Sequence, residues 1–290
     1  MKFRFVHQER RWFGVDALCA AVAVSRGGYW AWLKRRPSAR QLGDSVLLAD
    51  IHKLHKDGRG VYGSPRIHDA LGKAGVQCGK KRVERLMQEN GIRAKQGKKY
   101  KPVGTDSSHQ MPVAPNILNR QFQRQRPNEA WVADTTYIAT EEGWLYLAVV
   151  LDLFSRRVVG WAMGDRNDQG LVLRALHMAA QRRSPPPGLI HHSDRGSQYA
   201  SGAYQAALRS YGMICSMSRK GNCWDNAPME SWFHTLKVEM VHDRSFASRR
   251  EAMAATFEYM EVFYNRQRIC SAIGGFSPVK FEAQRLRRVA

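Results

Sequence analysis

Three short stretches carry residues fitted for chemistry: Trp131-Val-Ala-Asp134-Thr-Thr-Tyr-Ile138, His191-His-Ser-Asp194-Arg-Gly-Ser-Gln198 and Asn226-Ala-Pro-Met-Glu230-Ser-Trp-Phe-His-Thr-Leu-Lys237. They supply two aspartates and a glutamate. Carboxylates delivered from separate elements suit hard divalent cations, because Mg²⁺ prefers oxygen ligands and leaves its other positions to water and substrate phosphates. The chemistry such a set supports is phosphodiester cleavage or transfer with two metal ions.

Acidic residues occupy 25 of the 290 positions, so spacing alone proves little and context decides. Asp134 sits inside an apolar strand, where an uncompensated carboxylate is costly unless a metal or partner meets it. By strand parity it shares a face with Val132 and Thr136, and the competing role is a hydrogen-bonding strand residue. Asp194 falls where a buried strand gives way to a Gly-containing loop, the position from which α/β sheets present ligand-binding groups; the alternative is a loop cap for Arg195-Gly196. His192, of the same parity, reads as a packed histidine ahead of a ligand-positioning one. Glu230 follows Asn226, a candidate N-cap, with Pro228 tolerated in the first turn, so its carboxylate lies near the positive end of a helix dipole. A capping glutamate is the plain alternative. Against it, Lys237 lies two turns along the same helix face, where it can meet a phosphate. Asp152 reads as a turn cap, and Asp225 as part of a flexible loop over residues 221–225.

The elements that must position these groups follow from patterning. Residues 130–139, 144–153 and 157–163 form three successive strands. A helix over 169–182, a Pro-Pro-Pro-Gly break, a strand over 189–193, a helix over 203–211, a strand over 213–217 and helices after Pro228 and Ser248 complete an α/β core. Ahead of it the chain is helical. Residues 15–23 and 27–35 pair as a helix-turn-helix-like unit or a small helical hairpin packing Tyr29, Trp30 and Trp32. A second helical unit runs through 44–55, 62–71 and 79–90. On its last helix Lys81, Arg82 and Arg85 flank apolar Val83, Leu86 and Met87, as expected of a helix lying against a DNA groove, or of a solvated charged face. Residues 95–127 read as a basic linker. The expected division is therefore 1–40, 44–94, 95–127, 128–247 and a helical extension over 248–290.

The net charge of +21 points to a polyanionic partner or a merely basic surface, and it is uneven: residues 1–128 hold 26 Lys+Arg against 9 Asp+Glu, residues 129–290 hold 20 against 16. A basic front half before a nearly balanced back half suits a nucleic-acid-gripping arm on a catalytic body. Five scattered cysteines without a C-x-x-C pair indicate neither a disulfide framework nor a zinc finger, and fit a reducing cytoplasm. Residues 15–24 resemble a secretory signal only superficially, since Asp16 interrupts the short apolar run. No stretch approaches the length of a membrane span.

The chain resembles the second-reading-frame transposases (OrfB) of the insertion-sequence-three family, whose core is similar to retroviral integrases and has the RNase H-like fold. The resemblance rests on Val24-Ser-Arg26 with Tyr29-Trp-Ala-Trp32, Tyr62-Gly-Ser-Pro-Arg-Ile67, Arg82-Val with Arg85-Leu-Met87, and residues 131–137. It continues through 143–161, 191–199, 226–239 and Tyr264-Asn265 to Ser277-Pro278, so it covers nearly the whole chain. The family's D,D(35)E signature falls on Asp134, Asp194 and Glu230, with 35 residues between the last two, and its following basic residue on Lys237. Cys270 stands where the family usually has a histidine.

The resemblance implies a DNA transposase whose three carboxylates are both catalytic and metal-binding, holding two Mg²⁺ ions with Mn²⁺ able to substitute. It would nick element ends and then direct the released 3′-hydroxyl at a second phosphodiester. Lys237, Arg195, Lys81, Arg82, Arg85 and Arg66 are the candidate DNA contacts. Expected partners are DNA at element ends and target, further copies of the chain as a homo-oligomer on DNA, and the family's first-reading-frame protein, fused by frameshift or separate. The expected setting is a bacterial cytoplasm, associated with the nucleoid and with no membrane. Two other functions compete: an RNase H-like nuclease without strand transfer, and a DNA-binding regulator with a decayed core. The intact acidic triad speaks against decay.

Overall fold

The computed structural model describes residues 1–97 and 111–287. Its contacts divide the chain into two compact units, Met1–His52 and Lys53–Ala290, with the boundary inside one long helix.

The first unit holds α1 (Lys2–Glu9), α2 (Val15–Ala21), α3 (Arg26–Lys34) and most of α4 (Ala39–Asp57). α2 and α3 fall where the two helices were expected, and α1 adds a third helix that the basic opening residues concealed. Ser25 caps α3 by accepting the Gly28 N–H at 3.0 Å. Val6, Leu18, Cys19 and Tyr29 make a small core, with Phe3 and Trp32 packed on it. Trp30 instead faces solvent.

In the second unit, α5 (Ser64–Lys73) and α6 (Lys80–Glu89) pack through Ile67, Ala70, Leu71, Val83, Leu86 and Met87. The body is a five-stranded sheet of β1 (Ala130–Thr140), β2 (Gly143–Asp152), β3 (Val158–Gly164), β4 (Ile190–Ser193) and β5 (Ile214–Met217), in the order β3-β2-β1-β4-β5. The β1–β2 and β2–β3 pairs are antiparallel, and β1–β4 and β4–β5 are parallel. This is the RNase H-like arrangement. Short turns allow the antiparallel meander, whereas parallel neighbours need helical crossovers.

Those crossovers are α7 (Gln169–Arg183), α8 (Ser197–Ala200) and α9 (Gly202–Ser210), and they cover the face carrying Trp131, Ala133, Val150 and Val159. Gly160 lets α7 approach β3 closely, since a Cβ there would strike Ala175 O and Ala179. Beyond β5 come a 3₁₀ turn over Cys223–Asn226, α10 (Ala227–Leu236), a π-helical turn over Lys237–Val241, α11 (Arg249–Phe257), a second π-helical segment over Glu258–Tyr264, and α12 (Pro278–Arg287). Neither π segment is visible in the sequence, because tertiary packing selects them.

The 95–127 stretch, expected to be a linker, differs in its described parts. Residues 98–110 lie outside the described residues. Residues 111–127 are tied to the body: Leu118 is fully buried, and the Ile117 and Leu118 N–H groups donate to Ser216 Oγ at 2.9 and 3.1 Å. Among the described residues no helix is long and apolar enough to cross a membrane, and all five cysteines are free.

Candidate active site

β1 and β4 are parallel neighbours, with Val132 paired to His192. Asp134 stands two residues further along β1, and Asp194 two residues beyond His192, just past the last residue of β4. α10 packs against β1, and Glu230 stands in its first turn.

Burial pushes the Asp134 carboxyl well above its ordinary range, the Asp194 charge adds to this, and Glu230 adds further; the Thr135 N–H and the Lys237 ammonium pull the other way. Glu230 is more exposed than the aspartates, and partial desolvation raises its carboxyl as well. Among the described residues no three His, Cys, Asp or Glu side chains are gathered closely enough to hold a metal ion.

Both aspartates are held. Asp134 Oδ1 accepts the Thr135 N–H at 2.7 Å, and Asp194 Oδ1 accepts the Gly196 N–H at 2.9 Å. The other oxygen of Asp134 accepts from Asn226 Nδ2 at 3.3 Å, and the same amide donates to Ala133 O at 3.3 Å. Asn226 was expected to cap α10, but its side chain makes no cap hydrogen bond and reaches across to β1 instead. The amide orientation is fixed chemically, since the flipped rotamer would set its oxygen against two acceptors. Its Oδ1 is buried and has no partner.

Asp225 corrects a second expectation. Far from lying in a flexible loop, it is fully buried and accepts five hydrogen bonds, from Asn116 Nδ2, Arg120 Nε and the Arg219 N, Nε and Nη2 groups. The Arg219 pairing, joined by Arg120, holds its carboxyl well below the usual range. The turn leading into α10 is thereby pinned to β5 and to the 116–120 segment. Three partners, two of them about a hundred residues away, carry this role, so no local signal reveals it.

The remaining predicted residues are placed as follows. Lys237 lies at the start of the π turn, its ammonium 5.0 Å from the centre of the Tyr137 ring. Arg195 donates through Nε to Ser218 O at 2.5 Å. Lys81 is exposed on α6, Arg82 is half-buried beside it, and Arg85 pairs with Glu89 at 2.8 Å. Arg66 on α5 is 29% exposed and faces Glu239 at 3.6 Å, so it sits within a structural cluster rather than on an open face. His192 is packed between Ser216 Oγ (2.9 Å) and Ser218 Oγ (3.2 Å), and burial lowers its pKa to about 4. Asp152 accepts the Asn128 and Phe154 N–H groups, each at 2.8 Å, as a turn cap does, and burial pushes its carboxyl up to about 6.

A mixed five-stranded sheet of this order, flanked by helices, is the architecture of an integrase-type core. Two models described as integrase core domain match residues 124–223 and 230–286, and an HTH-like domain model matches residues 41–100. The chain is 46% identical over 264 residues to the insertion element IS600 uncharacterized 31 kDa protein of Shigella sonnei, covering 91% of this chain and 97% of that one. It is 42% identical over 292 residues to transposase InsF for insertion sequence IS3A of Escherichia coli (strain K12), covering 99% and 100%. Among solved structures, the simian T-cell lymphotropic virus intasome matches at a TM-score of 0.46 and 16% identity, covering 80% of this chain and 74% of that chain.

The chain belongs to the insertion-sequence transposase family of IS3 InsF. Its activity is that of a DNA transposase, a polynucleotidyl transferase.

Proposed function

We propose that Asp134, Asp194 and Glu230 are the catalytic carboxylates and hold two Mg²⁺ ions, with Mn²⁺ able to substitute. The observation that carries this reading is the state of Asp134: a half-buried carboxylate within β1, raised by desolvation and by the Asp194 charge. Such a site is unfavourable for the protein alone, and an all-oxygen donor set of this kind fits hard divalent cations. Bound there, two such ions lower the pKa of water and neutralise charge growing on attacking and leaving oxygens.

The chain's own residues then do the following. Asn226 and the Thr135 N–H orient the Asp134 carboxylate. Lys237 meets a non-bridging phosphate oxygen beside the carboxylates, and Arg195, anchored on Ser218 O, lies next to Asp194 at the rim. In the first step water attacks the phosphodiester at the element end, leaving a 5′-phosphate on one side and a free 3′-hydroxyl on the other. In the second, that 3′-hydroxyl attacks a phosphodiester elsewhere, forming one bond and releasing a new 3′-hydroxyl, so bonds balance without a covalent protein–DNA intermediate.

The helical unit over 44–94 serves as the DNA-binding module, with Lys81, Arg82 and Arg85 of α6 toward the groove; Arg66 contributes by supporting that unit. The catalytic body is assigned to 128–247 and its helical extension to 248–290. The active form is a homo-oligomer on DNA, fused to or partnered with a first-reading-frame protein. Oligonucleotides carrying the element's ends, incubated with the chain and Mg²⁺, test the reading. Joined products support it, cleavage without joining supports a nuclease, and binding without either supports a regulator.

A further inference from the structure

Away from the carboxylates, the second unit contains a cleft of about 700 Å³ between residues 125–128, Phe154, the end of α7 and α12. A neighbouring cavity of about 330 Å³ shares Arg182 and Arg183 with it. Their walls present Arg126, Arg157, Arg182, Arg183, Arg266 and Arg285 against two carboxylates, Glu261 and Glu282.

Both carboxylates are already neutralised. Glu282 accepts from Ser155 Oγ at 2.6 Å, Arg157 at 2.8 Å and Arg183 at 3.0 Å. Glu261 accepts from Trp161 Nε1 at 2.8 Å and Arg182 at 2.5 Å. Among the described residues Arg126 and Arg285 have no carboxylate partner; Arg285 rests on the Phe281 ring, 5.4 Å from its centre. The two cavities are therefore a framework of arginines braced by two glutamates, with the Arg126 and Arg285 guanidinium groups left over in the larger cleft beside the Gln125 and Asn128 amides, and Arg266 in the smaller. Arginine and amide side chains are the usual donors to a sugar–phosphate backbone.

We propose that this arginine cleft is a second DNA-binding site, taking the phosphate backbone of duplex DNA outside the catalytic centre. The proposal rests on the transposase reading above, in which the substrate is a long polyanion. Residues 125–128 of the cleft lead into β1, whose first residue, Ala130, lies four positions before Asp134. The site contributes to DNA affinity and register and leaves the bond-breaking chemistry to the carboxylates.

The test compares the full chain with the Arg126→Ala/Arg285→Ala double variant, which leaves the braced ion pairs intact. Binding to a 30-base-pair duplex is measured across a salt series in EDTA, so the result does not depend on cleavage. Loss of two phosphate contacts makes the slope of log K against log salt shallower by about 1.8, which near 0.1 M salt weakens binding by roughly 60-fold. The Arg126→Lys/Arg285→Lys variant keeps the wild-type slope. An unchanged slope in the alanine variant overturns the proposal. If polyglutamate binding instead falls in that variant while DNA binding holds, the cleft belongs to an acidic protein partner and the proposal is likewise overturned. Failure of wild-type protein to cleave or join ends would sink the catalytic reading while leaving this measurement standing.

Discussion

Replacing Glu239 with glutamine tests how the catalytic helix is held. Glu239 lies two residues beyond Lys237 on the π turn that continues α10. It accepts from Arg268 Nε at 2.7 Å and Nη2 at 2.6 Å and from the Tyr259 hydroxyl at 2.8 Å, with Arg66 at 3.6 Å. The Glu239 and Arg268 side chains are 6% and 4% exposed. Burial opposes the Arg268 charge, but its hydrogen bonds to Glu239 outweigh that and raise its pKa. Glutamine keeps the shape and removes the charge, leaving a buried guanidinium unneutralised at a cost of about 3–5 kcal/mol. In a unit of this size each kcal/mol moves the midpoint by about 2–4 °C, so Tm should fall by about 6–20 °C. Scanning calorimetry measures the shift. Replacing both members by Met should recover much of it, because a buried ion pair is worth little against well-packed apolar side chains. A Glu239→Gln midpoint within 2 °C of wild type, at the ~1 kcal/mol scale or below, would refute the reasoning.

Asp134→Asn should abolish both cleavage and joining in a gel assay while DNA binding by mobility shift persists; residual cleavage would remove Asp134 from the catalytic set. Asn226→Ala should reduce joining by about 10–100-fold, the usual effect of losing a partner that orients a metal-binding side chain. It should also raise the Mg²⁺ concentration needed for half-activity and weaken Mn²⁺ binding by calorimetry; unchanged metal dependence would show that the hook orients nothing. His191, buried beside Tyr204 with its Nε2 3.1 Å from the hydroxyl, has its pKa lowered to about 3 by burial. The unfolded chain therefore binds the proton first, and stability is intact above about 6.5 and falls by about 1.4 kcal/mol per pH unit below it until about 3. Urea midpoints should show this slope in wild type and less of it in His191→Leu; equal slopes would count against a neutral buried imidazole.

How much of this the chain discloses depends on how local the cause is. The strands around Asp134 and Asp194 are legible because apolar runs bounded by turns are local, and the expected strand ends fall within a residue of β1, β2 and β4. The start of α10, with Glu230 in its first turn, is legible through Pro228. Asn226 was misassigned because capping is the local preference of Asn, whereas its actual acceptor is 92 residues away. Asp225 resembled a loop residue for the same reason, since Asn116 and Arg120 reach it from outside the core strands. α1 went unread because its basic face masks a single buried anchor, Val6. Residues 111–127 looked like linker because their composition is polar, yet one side chain, Leu118, reaches the interior.

The parallel alignment of β1 with β4 has a mechanical consequence. Asp134 stands on β1 and Asp194 follows β4, its parallel neighbour, whereas Glu230 stands on a separate element, α10, entered through the Cys223–Asn226 turn. That turn is fastened by Asp225 to Arg219 and Arg120, so the helix owes its seat to contacts outside the strand ladder.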